Sequence, residues 1–445
     1  MIVSDLPRAL EQAGLDPARA AAHAAGFGVL LAQFAPERSD PERWDAWFVP
    51  GRIEVLGKHT DYAGGRSLIC AAEYGFRVVA ALRNDRRVVL TDLGRRTAVV
   101  LDPDGPGPDV SWATYPLTVL RRLSQNFPSM VHGVDLMFES DLPSAAGLSS
   151  SSALMIAVLL ALSRASGLGA TAPWTENIHD RHEDLASYAA TIENGRTFRG
   201  LAGELGVGTE GGSEDHTAIL CSEPSRVAQY AFCPTRRERS ILVASDLVFA
   251  IGVSGVAARK TGEARADYNR ASRNAARVLE RWHAETGRHD ASLAAAIASS
   301  PDAASRIRAL VGGDQDLRDR FDQFAEESTT LVPTAAAQLA GGDLDGFGHT
   351  VARSQELGER LLRNQVPETV ALVAAARELG AVGASAFGAG FGGSVWALVE
   401  QSDARAFLER WQDAYRAACP AAADRSRFFT TRPGPARCVF ERGSV

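Results

Sequence analysis

Leu142-Pro-Ser-Ala-Ala-Gly-Leu-Ser-Ser-Ser-Ser-Ala153 runs straight into an apolar stretch that ends at Leu162. Small residues entering a helix leave its first N–H groups unpaired, and the positive end of the helix dipole favours an anion there. Four consecutive hydroxyls, Ser149, Ser150, Ser151 and Ser152, can cap such a helix, hold phosphate oxygens or bind a cation. An ordinary serine N-cap fits the same residues. The apolar run from Ala153 to Leu162 covers ten residues, about half of what spans a bilayer, so it reads as a buried helix.

A second dense segment lies upstream: Gly51-Arg-Ile-Glu-Val-Leu-Gly-Lys-His-Thr-Asp-Tyr-Ala-Gly-Gly65. It packs Arg52, Lys58, His59, Asp61 and Tyr62 between two β-rich runs, with Gly57, Gly64 and Gly65 allowing sharp turns. Aspartate accepts hydrogen bonds from adjacent hydroxyls and arginine pairs with phosphate or carboxylate, which makes this a candidate ligand loop. A β-turn with a surface salt bridge is the plainer reading. A third segment, Gly383-Ala-Ser-Ala-Phe-Gly-Ala-Gly-Phe-Gly-Gly-Ser394, lies between two apolar strands. Gly388, Gly390 and Gly393 fit G-x-G-x-x-G by spacing. A dinucleotide site needs a helix opening at that loop, however, and Ser394-Val-Trp-Ala-Leu-Val399 reads as a strand. Arg259-Lys260-Thr261 lacks the glycine that a Walker A loop places before its lysine.

The chain has 445 residues, more than one hydrophobic core normally supports, so two domains are expected. Its 45% hydrophobic and 23% charged residues are ordinary for a soluble protein. A net charge of −7 disfavours nucleic acid as the partner. The opening MIVSDLPRALEQAG lacks the basic start and apolar core of a secretory signal, and no membrane partner is expected. Five scattered cysteines without a C-x-x-C pair suit a reducing compartment, so a cytoplasmic location is expected.

The periodicity predicts helix over 5–37, β-rich runs from Trp44 to about Leu101, helix near 115–126 and a strand at Val134–Phe138. Helices at 149–166 and 174–198 and strands at 227–232 and 240–253 follow, and then a mostly helical half that starts with 260–284. Strands at Val382–Phe387 and Ser394–Val399 and a helix at 403–418 come near the end. This order suggests two α+β domains, 1–255 and 256–445, rather than a regular βαβ alternation. The cluster from His179 to Asp184 has metal-like composition, but within one long helix it reads as a solvated charged face.

In their order and spacing the three segments resemble the three motifs of the GHMP kinase superfamily, and GRIEVLGKHTDYAGG is similar to the signature of its galactokinase branch. Three further islands extend the resemblance: Thr191-Ile-Glu-Asn194, Gly211-Gly-Ser-Glu-Asp-His-Thr217 and Asp267-Tyr-Asn269. It implies an N-terminal domain like ribosomal protein S5 domain 2, a ferredoxin-like C-terminal domain and an active site in the cleft between them. It also implies ATP and Mg²⁺, with the γ-phosphoryl group passing to the anomeric hydroxyl of a monosaccharide, galactose first among the candidates. Asp215 is then the catalytic base, with Arg52 beside it. The backbone from Gly147 through Leu148, Ser149, Ser150, Ser151 and Ser152 would hold the triphosphate. Ser150 and Glu193 would form the Mg²⁺ shell, the register within the serine run being open by one. Lys58, His59, Asp61, Tyr268 and Gly390 would meet the sugar. A monomer or weak homodimer is expected.

The chain departs from the pattern at several positions. Lys58 stands where the galactokinase signature has a glutamate that contacts the sugar, which makes a uronic acid such as galacturonate an alternative substrate. Lys58 could instead turn away and pair with Glu54 or Glu73. His216 replaces a glutamine, Ala145 replaces a glycine, and about ten additional residues, Leu201 to Glu210, precede the Asp215 loop. A non-catalytic sugar- and nucleotide-binding paralogue is the other class of reading. The retention of both Arg52 and Asp215 argues against it.

Overall fold

The computed structural model describes residues 5–34, 44–107, 109–179, 181–258 and 263–441, without the side chains of 263–265 and 441. The Arg259–Thr261 stretch and the last residues of the expected 5–37 helix fall outside the described residues. Twelve strands are described: β1 Asp45–Leu56, β2 Arg66–Leu82, β3 Val88–Asp92, β4 Thr97–Leu101, β5 Val134–Ser140, β6 Arg226–Ala231, β7 Arg236–Leu242, β8 Leu247–Val253, β9 Gly383–Phe387, β10 Ser394–Glu400, β11 Arg427–Thr431 and β12 Cys438–Glu441.

The first sheet has eight strands, ordered β12-β1-β2-β5-β3-β4, with β6 paired to β2 and β7 to β6. Alternation along β1 sends Trp47, Val49, Ile53 and Val55 into the large core beneath the apolar helix Ser150–Ala165. Ala46 and Phe48 face the other way, onto the paired helices Leu6–Gln12 and Pro17–Phe34. The β1–β2 ladder slips register between Pro50 and Arg52 and again between Glu54 and Leu56. Irregularities of this kind re-aim side chains, and these two bracket Arg52 and Glu54, which alternation puts on the same face.

The second sheet is antiparallel and ordered β11-β8-β10-β9. With helices between β8 and β9 and between β10 and β11, this is the β-α-β-β-α-β order of the ferredoxin-like expectation. Helices Pro367–Glu378 and Ala404–Ala418 cover one face through Leu372, Trp411 and Tyr415. The other face, through Phe249, Trp396 and Leu398, merges with the large core of the first domain. Helices from Glu263–Thr286 to Gln315–Glu326 form a separate core around Trp282, Phe321 and Phe324 that also takes in Ala63 of the Gly51–Gly65 segment.

Three elements differ from expectation. The chain changes sheets between β7 and β8, so β8 belongs with the second domain and not with residues 1–255. Continuous β-rich sequence across 240–253 conceals two strands of different sheets. The expected 174–198 helix is broken into Ala172–Asn177 and His182–Asn194. His179 adopts a left-handed φ of 50° at the break, and Asp184 is held by the His179 ring and by Arg199. The N-terminal helix divides at Gly14, whose φ is 104°.

Trp396 is fully buried where the two domains share a core, packed against Phe249 and Phe347. Its indole N–H has no hydrogen-bond partner. Trp396→Ala is expected to lower unfolding free energy by about 3–5 kcal/mol, and Trp396→Phe by less than half as much, as read from urea unfolding.

Candidate active site

Arg52 organises the cleft. Its Nε donates to Asp215 Oδ1 at 2.7 Å and its Nη1 to the Gly147 carbonyl at 2.6 Å. One buried guanidinium thus joins β1, the start of helix Glu214–Cys221 and the loop of small residues ahead of helix Ser150–Ala165. In that loop Ala145, Gly147 and Ser149 all take positive φ (53°, 75° and 58°), and Ser149 Oγ is buried without a partner. A left-handed alternation of this sort turns backbone N–H groups into one concavity suited to an anion. The Leu148 side chain is buried, and its carbonyl accepts from the Arg52 N–H at 3.2 Å.

Two cavities meet here. The smaller, of about 490 Å³, is walled by polar groups including Glu54, His59, Asp61, Glu193, Glu214 and Tyr268. The larger, of about 1560 Å³, is lined by Trp112, Tyr115, Phe138 and Arg95 together with Ser144, Gly147 and Ser149–Ser151. Both touch Arg52, Asp215 and Ala389. The arrangement offers a polar chamber and an aromatic one that share a single charged seam.

Within the polar chamber, His59 sits at a φ of 57°, its ring nitrogens 3.1 Å from Tyr62 Oη and 3.0 Å from the Ala389 carbonyl. Its ring packs against Tyr268 at 5.1 Å. Asp61 Oδ2 accepts from the Glu214 N–H at 3.1 Å. Ser152 Oγ donates to Glu193 Oε2 at 3.0 Å and reaches Asp215 Oδ2 at 3.5 Å. His216 Nε2 lies 3.3 Å from the same Glu193 oxygen.

Some expected residues are placed elsewhere. Lys58 does not line the polar chamber. Its buried ammonium donates to Ser385 Oγ at 2.7 Å and Ser354 Oγ at 3.3 Å, hydroxyls of the strand and the helix behind the loop. Neither Glu54 nor Glu73 is its hydrogen-bonded partner: Glu73 accepts from the Asp16 and Arg432 N–H groups. The serine that meets Glu193 is Ser152, two residues beyond the expected Ser150, which lines the aromatic chamber with Ser151. Gly390 faces Asn364, whose carbonyl would lie 2.2 Å from an added Cβ; Gly388 and Ala389 are the residues that reach the cleft.

Sequence reading passed over Glu54 as a member of the site. The signal was available, since Arg52-x-Glu54 on a strand puts both side chains on one face. Burial pushes the Glu54 carboxyl up to about 7 against the opposing pull of Arg52 and then Lys58. Burial, then Glu54 and Asp61, hold Glu214 well above the ordinary carboxyl range. The two carboxyls are hydrogen-bonded to each other, and Ser67 Oγ donates to Glu214 Oε2 at 2.6 Å. Burial alone would weaken the hold of Arg52 on its proton, but Asp215, Glu214 and Glu54 reverse this and raise it. Burial, followed by Asp61 and Asp215, pushes the Tyr268 phenol well up.

Comparison with known proteins agrees with this geometry. Residues 33–82 match the galactokinase galactose-binding signature, residues 114–203 the GHMP kinases N terminal domain and residues 335–417 the GHMP kinases C terminal domain. A galactokinase of Streptomyces coelicolor is 28% identical over 387 residues, covering 85% of this chain and 90% of that protein. A galactokinase of Glaesserella parasuis is 35% identical over 113 residues, a match that spans 25% of this chain and only 29% of that protein. The crystal structure of Lactococcus lactis galactokinase complexed with galactose shares the fold, with a TM-score of 0.77 at 22% identity over 93% of this chain and 99% of that one.

The Glu54–Glu214 pair gives a pH signature. Glu54 is raised in the folded state, so between its ordinary 4.5 and about 7 the folded chain keeps a proton that the unfolded chain has released. Stability from this source is present at the acid end and is lost as pH rises to about 7. The melting temperature of the unaltered chain, minus that of Glu54→Gln, is therefore expected to fall by a few degrees from about pH 5 to about pH 7.5. A difference that stays flat over that range would contradict the shared proton.

Proposed function

We propose that this chain, which belongs to the GHMP kinases, transfers the γ-phosphoryl group of ATP to the anomeric hydroxyl of galactose. The observation that carries the reading is the meeting of a polar and an aromatic chamber at Arg52 and Asp215. Phosphoryl transfer between two bound substrates needs such a seam, since little covalent chemistry is left for the protein beyond positioning and charge.

ATP fits the larger chamber. Trp112 and Tyr115 offer flat apolar surface for the base, and the left-handed Ala145–Ser149 loop with its unpartnered Ser149 hydroxyl suits the phosphates. Asp215 accepts the proton of the sugar hydroxyl. Arg52, held to Asp215 and to the Gly147 carbonyl, keeps that carboxylate oriented and places a positive charge beside the transferring group. Asp61, His59 and Tyr268, in the wall of the polar chamber, hold the sugar.

Mg²⁺ would be held by Glu193, on the wall of the polar chamber, together with a hydroxyl of Ser150 or Ser151 from the adjoining chamber. Hydroxyl and carboxylate oxygens are the hard donors this ion prefers, and it commonly takes only one or two protein ligands beside substrate phosphates. Among the described residues no group of three or more His, Cys, Asp or Glu is arranged to hold a metal. The ion would neutralise phosphate charge when bound.

The position of the Lys58 ammonium, engaged by two serine hydroxyls behind the chamber, gives no support to a uronic acid substrate. The Arg52–Asp215 pair, with both partners in hydrogen-bonding contact, gives none to a silent paralogue. A cytoplasmic site of action accords with the five free thiols. Among the described residues no helix is long and apolar enough to cross a membrane.

ADP release with ATP and Mg²⁺ across galactose, galacturonate, arabinose, fucose and N-acetylgalactosamine tests the reading. Galactose is expected to give the highest kcat/KM, and a clear preference for galacturonate would replace it. Asp215→Asn is expected to lower kcat by about 10²–10⁴, with ATP affinity by calorimetry held within a few fold. Near-normal turnover in that variant would remove Asp215 from the role of base.

A further inference from the structure

The polar chamber contains a carboxyl that the phosphoryl-transfer reading does not use. Glu54 is 3% exposed, lies on the same face of β1 as Arg52 and forms part of the chamber wall. Its Oε1 is buried and has no hydrogen-bond partner. Buried acceptors are nearly always satisfied in native proteins, so an orphan one in a binding chamber points to a donor on the ligand.

No neighbouring donor reaches Oε1. Arg52 directs Nε to Asp215 and Nη1 to the Gly147 carbonyl. Lys58 Nζ serves Ser385 and Ser354, and Ser67 Oγ serves Glu214. The Glu214 N–H is taken by Asp61. What remains around Glu54 is a wall of like charge: Asp61, Glu193, Glu214 and Asp215, against the single guanidinium of Arg52. A second carboxylate brought in on the ligand would meet that wall unpaired, whereas a hydroxyl would supply the missing donor.

We propose that Glu54 is the specificity-determining residue of the sugar chamber, accepting a hydrogen bond from one ring hydroxyl through Oε1 and so favouring neutral sugars over uronic acids. The proposal rests on the sugar kinase reading above and deepens it. Glu214 lies beside Glu54 in the same wall and steadies its carboxyl through their mutual hydrogen bond. Lys58, whose charge pulls on Glu54 from outside the chamber, offsets its burial without competing for the ligand.

The test uses galactose analogues in which each hydroxyl except the reacting anomeric one is replaced in turn by fluorine, which can accept a hydrogen bond but cannot donate one. For the unaltered chain, one position is expected to lower kcat/KM by about 10²-fold or more. In Glu54→Ala, galactose should fall towards the level of that one analogue. The penalty at that position should vanish while those at the other positions persist. In the isosteric Glu54→Gln, the galacturonate-to-galactose ratio of kcat/KM should rise at least tenfold. The effect should lie mainly in KM, and calorimetry should show ATP affinity unchanged, as a check that the variants are folded. A fluorine profile in Glu54→Ala that matches the unaltered chain, or a galacturonate ratio in Glu54→Gln that does not move, overturns the proposal. Failure of the unaltered chain to release ADP with any sugar ends the kinase reading instead. Turnover that is insensitive to Glu54 ends only this one.

Discussion

The contact between the Arg52 guanidinium and Asp215 is the constraint on which the site depends. Arg52 is withdrawn from water and Asp215 is largely so, and a buried charge survives only when it is paired and further hydrogen-bonded. The pair meets that condition at three points, Asp215 Oδ1, the Gly147 carbonyl and the more distant Glu214 carboxyl at 3.7 Å. Because Arg52, Asp215 and Gly147 belong to three separate elements, the strand, the helix start and the anion loop cannot shift independently. Arginine suits this post better than lysine, since a planar fork of fixed donors can address two acceptors in different directions.

A second buried cation anchors the back of the signature loop. Lys58 reaches Ser354 and Ser385, and Ser354 in turn donates to Glu327 Oε1, which also accepts the Gly57 N–H at 2.8 Å. Glu327 opens a short π-helical turn, Glu327–Leu331, and such bulges tend to occur where a helix is bent to present a side chain. The loop that faces the polar chamber is therefore held from behind by the helices and the sheet of the second domain. The charge at position 58 reads as an oddity in one dimension and as part of an interdomain network in three.

Much of this was legible from the residues. The apolar helix behind the serine run, the strands on either side of it and the glycine loop between β9 and β10 follow from periodicity and turn residues. Arg52, His59, Asp61, Glu193, Asp215 and Tyr268 do converge on one cleft. What was hidden depended on distant partners. The direction of Lys58 is set by serines 296 and 327 positions away. The choice among four adjacent serines is a matter of helical phase, fixed only when Glu193 arrives from another helix. The β7–β8 change of sheet leaves no mark in composition, since both strands are β-rich.

The pairing of β12 with β1 has a consequence for how the molecule comes into being. Phe440 and Cys438 lie opposite Ala46 and Phe48, so an edge of the first sheet is closed by the last described strand, after the whole second domain has intervened. During synthesis the early sheet must wait with that edge bare while roughly four hundred residues follow it from the ribosome. Exposed edges invite pairing with other chains. Folding is thus not divisible at the domain boundary: the first sheet reaches its final form only when β12 returns to it.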